Sequence, residues 1–379
     1  MGKSVRPGEM VGILGGGQLG RMSAQSAQKL GYKVRIFDPS SSVCASGIAE
    51  ETITADWDDL KALKKFSDGC SRLTLEFENI PPSTIEYVNK ITPCHPSARV
   101  LEICQHRQKE KEFLKKNDIP CVPFKVVNTL GEFVSAVKEI GYPCVLKTAV
   151  FGYDGKGQIK ITNEKQDLEA AWSITGGGRG VLEAWIPHDC EISVIVARSE
   201  SGEVAVYDPT ENIHKDHILY LSLSPARVSQ KVINEAKSLA LQIVEKIGLT
   251  GILAVEMFVY NEKILVNELA PRPHNSGHVT LDNNVTSQFE QHIRAVCGLP
   301  LGEIKTQQPA VMLNILGDLW KNGITPDWNI AVQYPNVKLH LYNKGQAVPK
   351  RKMGHLTVIG PTLDEALKLA QKIDKEFLS

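Results

Sequence analysis

A buried strand, a glycine-rich turn and a helix open the chain in immediate succession, and this order restricts the possible fold more than any other stretch. The apolar run 10–14 predicts the strand, the turn is Gly15-Gly16-Gly17-Gln18-Leu19-Gly20, and the periodicity of 22–30 predicts the helix. A second strand over 33–38 ends at Asp38. This succession predicts a βαβ unit, and with it an α/β domain built on a parallel sheet.

The spacing Gly15-x-Gly17-x-x-Gly20 matches the fingerprint of dinucleotide-binding folds. Glycines in such a turn let the backbone approach a phosphate at the start of a helix. The same turn also serves mononucleotides, and many folds that contain it bind no dinucleotide. A non-catalytic module that binds NAD through this turn therefore stays open as an alternative at this point.

The charge balance of the 379-residue chain limits its partners. Lys and Arg together number 43, as do Asp and Glu, so the formal net charge is zero. Without an overall positive field, we expect neither nucleic acid nor an anionic membrane as a partner. Recognition of an anion must then be local, and the length leaves room for roughly two or three domains.

Cysteine usage and hydropathy favour a cytoplasmic protein. The eight cysteines are dispersed and include no C-x-x-C pair, so we expect reduced thiols rather than a zinc or redox site. Residues 1–7 are polar. No stretch approaches the roughly 18 consecutive apolar residues that a membrane span needs.

Two neighbouring predicted strands each carry a carboxylate among apolar residues. Glu256 lies within 251–260, whose β-branched and aromatic content suits a strand, and Glu268 ends the next apolar run. Mg²⁺ is commonly held by one or two carboxylates together with substrate phosphates. Glu256 and Glu268 are therefore candidate metal ligands, and Arg272 and His274 in the following loop are candidate contacts for an anion.

Other polar groups follow predicted strands. Glu76 and Asn79 end the third strand, where open α/β sheets contact ligands, although solvated acids on an edge strand give the same pattern. Lys147 ends a later strand and precedes the glycine-rich loop 152–158. The N–H groups of that loop could surround phosphate oxygens, or the loop could be a flexible hairpin.

Several segments have less specific patterns. The strand beginning at 181 runs into a hinge that could offer backbone groups to a purine base, whereas a lone His214 is more often a packing or surface residue. The pattern from 97 to 117 predicts one helix with a solvated charged face, from which Arg107 could point inward. After residue 300 the chain predicts a small β-rich unit with a final helix.

Several motifs that occur in one order resemble the ATP-grasp ligases, in which two α/β lobes enclose ATP. Within this family, the resemblance is to a carboxylating branch of purine biosynthesis, and it covers essentially the whole chain. The motifs are the glycine turn 15–20, Phe77-Glu78-Asn79, Gly152-Tyr153-Asp154-Gly155-Lys156-Gly157-Gln158, Ala270-Pro271-Arg272-Pro273-His274-Asn275-Ser276-Gly277-His278 and Lys352-Met353-Gly354-His355, together with Lys147, Glu183, Glu191, Glu256 and Asn267-Glu268.

The resemblance implies an ATP-grasp fold that combines α/β and α+β parts. Residues 1–98 would form an N-terminal Rossmann-like domain, residues 99–302 the ATP-grasp domain, and residues 303–379 a small C-terminal β-rich domain. Within the ATP-grasp domain, the small lobe would cover about 118–186 and the large lobe about 187–302.

The resemblance also implies an activity. The chain would join bicarbonate to the amine of 5-aminoimidazole ribonucleotide through carboxyphosphate, with consumption of ATP, using Mg²⁺ and acting as a homodimer. Ala270 stands where many family members carry Asn, so the number of Mg²⁺ ions, one or two, stays open. A sister enzyme that transfers formate to glycinamide ribonucleotide shares the opening glycine loop and remains the alternative.

The site residues follow from the same resemblance, motif by motif. The implied ATP contacts are Arg107, Lys147, Gly152, Tyr153, Asp154, Gly155, Lys156, Gly157, Gln158, Glu183, Ala184, Trp185, Ile186, Glu191, His214, Asn267 and Glu268. The implied ribonucleotide contacts are Gln18, Glu76, Asn79, Tyr153, Asp154, Lys344 and Arg351. The implied catalytic residues are Asp154, Asn267, Arg272 and His274, and the implied Mg²⁺ ligands are Glu256 and Glu268.

Overall fold

The structure, a computed structural model, describes residues 4–149 and 157–378. The first part is a parallel sheet covered by helices, with strands β1 (Met10–Leu14), β2 (Lys33–Asp38), β3 (Glu51–Thr54), β4 (Cys70–Leu75) and β5 (Cys94–His95) and helices α1 (Gln18–Lys29), α2 (Leu60–Ser67) and α3 (Pro82–Asn89). The strand order is β3-β2-β1-β4-β5. The predicted βαβ opening is confirmed, because β1 pairs in parallel with β2 and also with β4. The turn after β1 and Glu76 after β4 therefore meet at one edge of the sheet.

The prediction of a single helix from 97 to 117 is wrong. Two helices occupy this stretch, α4 (Ala98–Gln105) and α5 (Arg107–Lys116), and His106 between them has an extended backbone with φ −108° and ψ 101°. The N–H of Arg107 donates to the carbonyl of Ala149 at 2.9 Å instead of continuing α4. A tertiary hydrogen bond has thus overridden a helical sequence pattern, which propensity alone does not reveal.

A small antiparallel sheet follows. Its elements are β6 (Phe124–Val127), α6 (Leu130–Ile140), β7 (Cys144–Thr148), β8 (Gln158–Ile161), α7 (Leu168–Trp172) and β9 (Gly180–Ala184). The strand order is β6-β9-β7-β8. The rings of Phe133 from α6 and Trp172 from α7 stack at 5.6 Å, so both helices share one apolar layer on this sheet. The prediction of a strand that ends near Lys147 is confirmed.

The third sheet is the largest. Its strands are β10 (Cys190–Arg198), β11 (Val204–Val206), β12 (Thr210–Lys215), β13 (Ile218–Ser224), β14 (Gly251–Tyr260), β15 (Lys263–Ala270), β16 (Ala310–Leu316), β17 (Val337–Leu341) and β18 (Lys352–Ile359). They stand in the order β15-β14-β10-β12-β13-β16-β18-β17, with β11 paired to β10. Because β13 pairs with β16, the strands after residue 303 extend the same sheet rather than forming a second one.

Helices cover this sheet at two places. They are α8 (Gln230–Ile247), α9 (Thr280–Asn283), α10 (Gln288–Val296), α11 (Asn329–Val332) and α12 (Leu363–Leu378). The predicted amphipathic helix after 229 is confirmed as α8, which buries Leu239 and Ile243 against β10, β14 and β15. Burying one such side chain is worth about 1.5–3 kcal/mol, so this layer holds the acidic strands β14 and β15 firmly.

Helix α10 joins the first sheet to the third. Ile293 and Val296 lie in one apolar cluster with Val11 and Ile36 of the parallel sheet, and α10 also packs on β10 and β14. The glycine turn and the loop after β15 are therefore held in a fixed relation. In the described part of the chain, none of the helices combines the length and the apolar content that crossing a membrane would need.

Candidate active site

The glycine turn after β1 surrounds carboxylates of the protein itself. Glu76 accepts hydrogen bonds from the N–H groups of Gly17 at 2.8 Å and Gly20 at 3.0 Å, and Asp38 accepts from Gly16 at 2.8 Å. A Cβ atom on Gly17 would lie 2.7 Å from Glu76 Oε1, which explains the glycine. The N–H groups that a dinucleotide phosphate would use are already occupied, and this arrangement argues against the NAD-binding alternative.

The β17–β18 hairpin brings a lysine to this turn. Lys344 is close enough to Glu76 and Cys44 for their charges to act on it, and burial lowers the pKa of its ammonium group to about 8. Arg351 influences Lys344 through charge and donates to the carbonyl of Gln346 at 2.9 Å. Glu76 and Lys344, which are far apart in sequence, therefore lie near each other.

Two more of the predicted ribonucleotide contacts, Gln18 and Asn79, lie in the described residues. Gln18 is the first residue of α1 and is half-buried. Asn79 lines a narrow cleft together with Glu78, Arg107 and Glu268. The cleft therefore runs from the parallel sheet to the end of β15.

A buried carboxylate holds the lysine predicted to contact ATP. Lys147 Nζ lies 2.7 Å from Glu183 Oε2, and Lys111 Nζ lies 3.6 Å from Glu183 Oε1. Burial alone would raise the pKa of Glu183, but the two lysines and Arg107 outweigh it and lower that pKa to about 2. The Glu183 side chain therefore faces Lys147 and Lys111, and any contact with adenine must use its backbone.

The hinge after β9 is the predicted adenine contact. The N–H of Ala184 donates to the Pro123 carbonyl at 2.9 Å and that of Trp185 to the Pro143 carbonyl at 3.1 Å. The N–H of Ile186 meets no acceptor within residues 4–149 and 157–378. Ile186 thus has a backbone donor available for a purine ring, whereas Ala184 and Trp185 use theirs to hold the hinge.

Glu191 lies between two histidines. His214 Nδ1 is 3.1 Å from one carboxylate oxygen and His188 Nε2 is 3.3 Å from the other. Burial opposes ionisation of Glu191, but both histidines outweigh it and lower its pKa to about 2. The carboxylate stays charged and fixed in direction, which suits a contact with ribose hydroxyls.

The two acidic strands bring oxygen donors together. Glu256 and Glu268 are direct cross-strand partners, so their side chains project from the same face. The register shifts beside this pair, Met257 faces Val266, and Asn267 is the extra residue of a β-bulge. Asn267 Oδ1 is buried without a hydrogen-bond partner in the described residues. Two carboxylates and an amide oxygen form a donor set that fits Mg²⁺.

The side chains of Arg107 and His274 contact the two carboxylates of this donor set. Arg107 Nη1 lies 3.7 Å from Glu268 Oε2, and His274 Nε2 lies 3.0 Å from Glu256 Oε1. The other ring nitrogen of His274 is 2.9 Å from Ser276 Oγ, so the ring is fixed at both ends. Burial would raise the pKa of Glu256, but His274 outweighs it and lowers that pKa.

The guanidinium of Arg272 has a partner that the sequence did not predict. Glu78 binds it through two oxygens, with Arg272 Nη2 2.6 Å from Oε1 and Nε hydrogen-bonded to Oε2. Burial would raise the pKa of Glu78, but Arg272 outweighs it and lowers it. The Arg272 guanidinium, which we predicted to bind an oxyanion, therefore binds the Glu78 carboxylate in this structure. The alternating acids 76 and 78 were the only available signal in the sequence for this contact.

The phosphate loop is described only at its end. Gly152, Tyr153, Asp154, Gly155 and Lys156 lie outside the described residues. The carbonyl of Gly157 accepts from the N–H of Thr148 at 2.8 Å, and Gln158 pairs with Lys147 across β7 and β8. The described end of the loop therefore lies beside Lys147.

A second group of polar side chains lies beyond the cleft. Asp282, His340 and His355 have potential ligand atoms within 4.8 Å of one another. The rings of His340 and His355 stack at 4.4 Å with only 12° between their planes. A ring nitrogen binds a metal in the plane of its ring, so two nearly parallel rings do not direct their nitrogens at one ion. The stacked pair is therefore a packing contact.

Three family models match the chain in sequence order. They are a ribonucleotide synthetase preATP-grasp domain over residues 9–105, an ATP-grasp domain over 112–289 and a phosphoribosylaminoimidazole carboxylase C-terminal domain over 310–369. The chain is 42% identical over 362 residues to the N5-carboxyaminoimidazole ribonucleotide synthase of Bacillus subtilis, covering 95% of this chain and 94% of that protein.

Solved structures give the same result. An ADP complex of an N5-carboxyaminoimidazole ribonucleotide synthetase superimposes with a TM-score of 0.93 at 39% identity and covers 99% of this chain and 98% of that one. The Aspergillus clavatus enzyme in complex with ADP and 5-aminoimidazole ribonucleotide gives 0.88 at 32% identity, covering 97% of this chain and 99% of that one. These matches confirm the ATP-grasp fold, and the chain belongs to the N5-carboxyaminoimidazole ribonucleotide synthase family of ATP-grasp ligases.

Proposed function

We infer that this chain joins bicarbonate to the amine of 5-aminoimidazole ribonucleotide, with cleavage of ATP to ADP and phosphate. One observation carries the proposal: the end of β15 connects two pockets. Glu268 lies 3.7 Å from Arg107 on the nucleotide side, and Arg272, four residues on, binds Glu78 beside the glycine turn. A group activated at one pocket can thus reach an acceptor in the other without crossing bulk water.

The nucleotide pocket supplies positive charge and direction. Lys147 and Arg107 neutralise the phosphates of ATP, with Glu183 holding Lys147 at 2.7 Å. Ile186 offers its N–H to the adenine ring and Glu191 accepts from the ribose hydroxyls. Asn267, Glu256 and Glu268 would hold Mg²⁺, which when bound neutralises developing charge on the transferred phosphoryl group.

Bicarbonate is a poor electrophile and needs activation. An oxygen of bicarbonate attacks the γ-phosphorus of ATP, the bond from that phosphorus to the β-phosphate oxygen breaks, and carboxyphosphate and ADP result. Loss of phosphate then yields carbon dioxide, which the amine attacks with release of a proton. Arg272 and His274 border this space, and a bicarbonate that binds Arg272 must share or displace Glu78.

The region around the glycine turn would bind the second substrate, 5-aminoimidazole ribonucleotide. Glu76, Gln18 and Asn79 would contact the ribose and base, and Lys344 with Arg351 would bind the phosphate. Tyr153 and Asp154, which are outside the described residues, would contact the amine. A homodimer and a cytoplasmic location complete the proposal, both resting on the family resemblance and the sequence alone.

The proposal is tested by ADP release from the purified chain with ATP, Mg²⁺ and bicarbonate, with and without 5-aminoimidazole ribonucleotide. We expect the ribonucleotide to stimulate ADP release, and only when bicarbonate is present. Formate with glycinamide ribonucleotide is the matched control for the sister activity. Stimulation by that pair instead, or by neither, would overturn the proposal.

A further inference from the structure

We propose that Glu110 and Lys111, adjacent residues of α5, position the metal-binding end of β15 and connect it to the lysine that binds ATP. Neither residue is predicted to touch a substrate. The inference rests on the proposed role of Glu268 as a Mg²⁺ ligand, and it assigns how that carboxylate is held in place.

The need for such support comes from the position of β15. This strand is at the edge of the large sheet, where it pairs with β14, and its outer side is bridged by Cys121 at Val266. The bulge at Asn267 removes one residue from the pairing with β14, and Glu268 comes directly after it. After Val266, the backbone groups on the outer side of this edge strand have no ladder partner in the described residues, and burying such groups unpaired costs about 1–3 kcal/mol each.

Lys111 satisfies the carbonyl at the bulge. Its side chain has no solvent exposure, and its Nζ donates to the Asn267 carbonyl at 2.8 Å. The same ammonium group lies 3.6 Å from Glu183, which binds Lys147 at 2.7 Å. A buried lysine is costly unless it is paired, so these contacts explain why a fully buried charge is retained.

Glu110 holds the next backbone group along the strand. Its side chain is buried, and Oε1 accepts from the N–H of Leu269 at 2.6 Å. Together, Glu110 and Lys111 fix the residues on both sides of Glu268. Burial raises the pKa of the Glu110 carboxyl, so a neutral amide is a close substitute for it.

Through Lys111, the two sides of the nucleotide pocket share one charged group. The chain of contacts runs from Lys147 through Glu183 and Lys111 to Asn267, from the small antiparallel sheet to the large one. Displacing Lys111 would release the bulge and so change the direction of Glu268. The metal would then bind the nucleotide complex less well, although the adenine and ribose contacts stay intact.

The test measures how strongly Mg²⁺ and ADP help each other to bind. The dissociation constant of ADP is determined by calorimetry with Mg²⁺ and with EDTA, and the ratio of the two is the coupling factor. We expect on the order of tenfold coupling in the unmodified chain and a ratio near one in Lys111→Met, with a normal ratio in Lys116→Met on the exposed side of α5.

A matched pair at Glu110 keeps the test decisive if Lys111→Met does not fold. Glu110→Gln retains an acceptor for Leu269 and should keep the coupling, whereas Glu110→Leu lacks one and should lose it. Equal coupling in both Glu110 variants, or normal coupling in a folded Lys111→Met, would overturn the inference.

The variant Glu268→Gln separates this inference from the proposed function. If Glu268→Gln loses the coupling while Lys111→Met and Glu110→Leu keep it, Glu268 binds the metal but the positioning role is wrong. If Glu268→Gln keeps the coupling, the metal assignment itself is wrong, and the inference falls with it.

Discussion

At the scale of single residues, Lys344 gives the site a dependence on pH. Burial lowers its pKa to about 8, and only its charged form pairs with the phosphate of the ribonucleotide. Below pH 8 the ammonium is already present, whereas above pH 8 binding must take up a proton. The KM for 5-aminoimidazole ribonucleotide should therefore rise above pH 8, by at most about tenfold per pH unit.

Lys344→Arg is the control for this prediction, because a guanidinium stays charged throughout that range. Its KM should not rise between pH 8 and 9.5 beyond any change seen for ATP. A wild-type KM that stays flat over this range, or an equal rise in Lys344→Arg, would contradict the role given to Lys344.

Arg272 is the second residue whose loss is informative. Arg272→Ala removes the fork beside the proposed bicarbonate position and leaves the partly buried Glu78 without its partner. Turnover should fall by at least roughly 100-fold, the scale of a lost electrostatic group. Arg294→Ala, which breaks a partly exposed pair with Glu290 on α10, serves as the matched control in the same ADP-release assay. Similar rates for both variants would count against Arg272.

At the scale of elements, the strand–turn–helix opening has a specific test. A Cβ atom on Gly17 would lie 2.7 Å from Glu76 Oε1, so Gly17→Ala must displace that carboxylate. We expect a KM for the ribonucleotide that is roughly tenfold or more higher, with the KM for ATP unchanged. Gly47→Ala is the control, because its Cβ would meet nothing within 4 Å. Equal effects on both substrates would show general unfolding of the turn instead.

The same element shows what a sequence pattern can and cannot predict. The run 10–14, the glycine turn and the helix after it were readable because each depends on neighbours along the chain. The partners of Glu78 and Lys111 were not, since Arg272 lies 194 residues from Glu78 and Asn267 lies 156 residues from Lys111. The predicted helix breaks at His106 for the same reason, because the N–H of Arg107 donates to the carbonyl of Ala149.

Glu183 illustrates the limit at the site itself. The resemblance implies that it is an ATP contact, and in the structure its carboxylate faces two lysines. The motif selects the residue, but the direction of its side chain depends on Lys147 and on Lys111 in a separate helix. A sequence motif can thus select a residue, whereas tertiary packing determines the contacts of its side chain.

At the scale of the whole molecule, α10 fixes the parallel sheet against the large sheet through Ile293 and Val296. The glycine turn and the loop at Arg272 are therefore held in a fixed relation within one chain. We still predict a homodimer from the family resemblance. Sedimentation equilibrium should give twice the mass of the chain at micromolar concentration, and a single-chain mass throughout would contradict this prediction.

The central claim is that bicarbonate is phosphorylated by ATP and then delivered to the ribonucleotide amine. The most direct measurement supplies bicarbonate labelled with oxygen-18 and analyses the phosphate released in single turnover by mass spectrometry. If an oxygen of bicarbonate attacks the γ-phosphorus, the released phosphate carries one atom of the label. Phosphate that carries no label, formed at the same rate with the ribonucleotide present, would mean that water attacks ATP and would contradict the account.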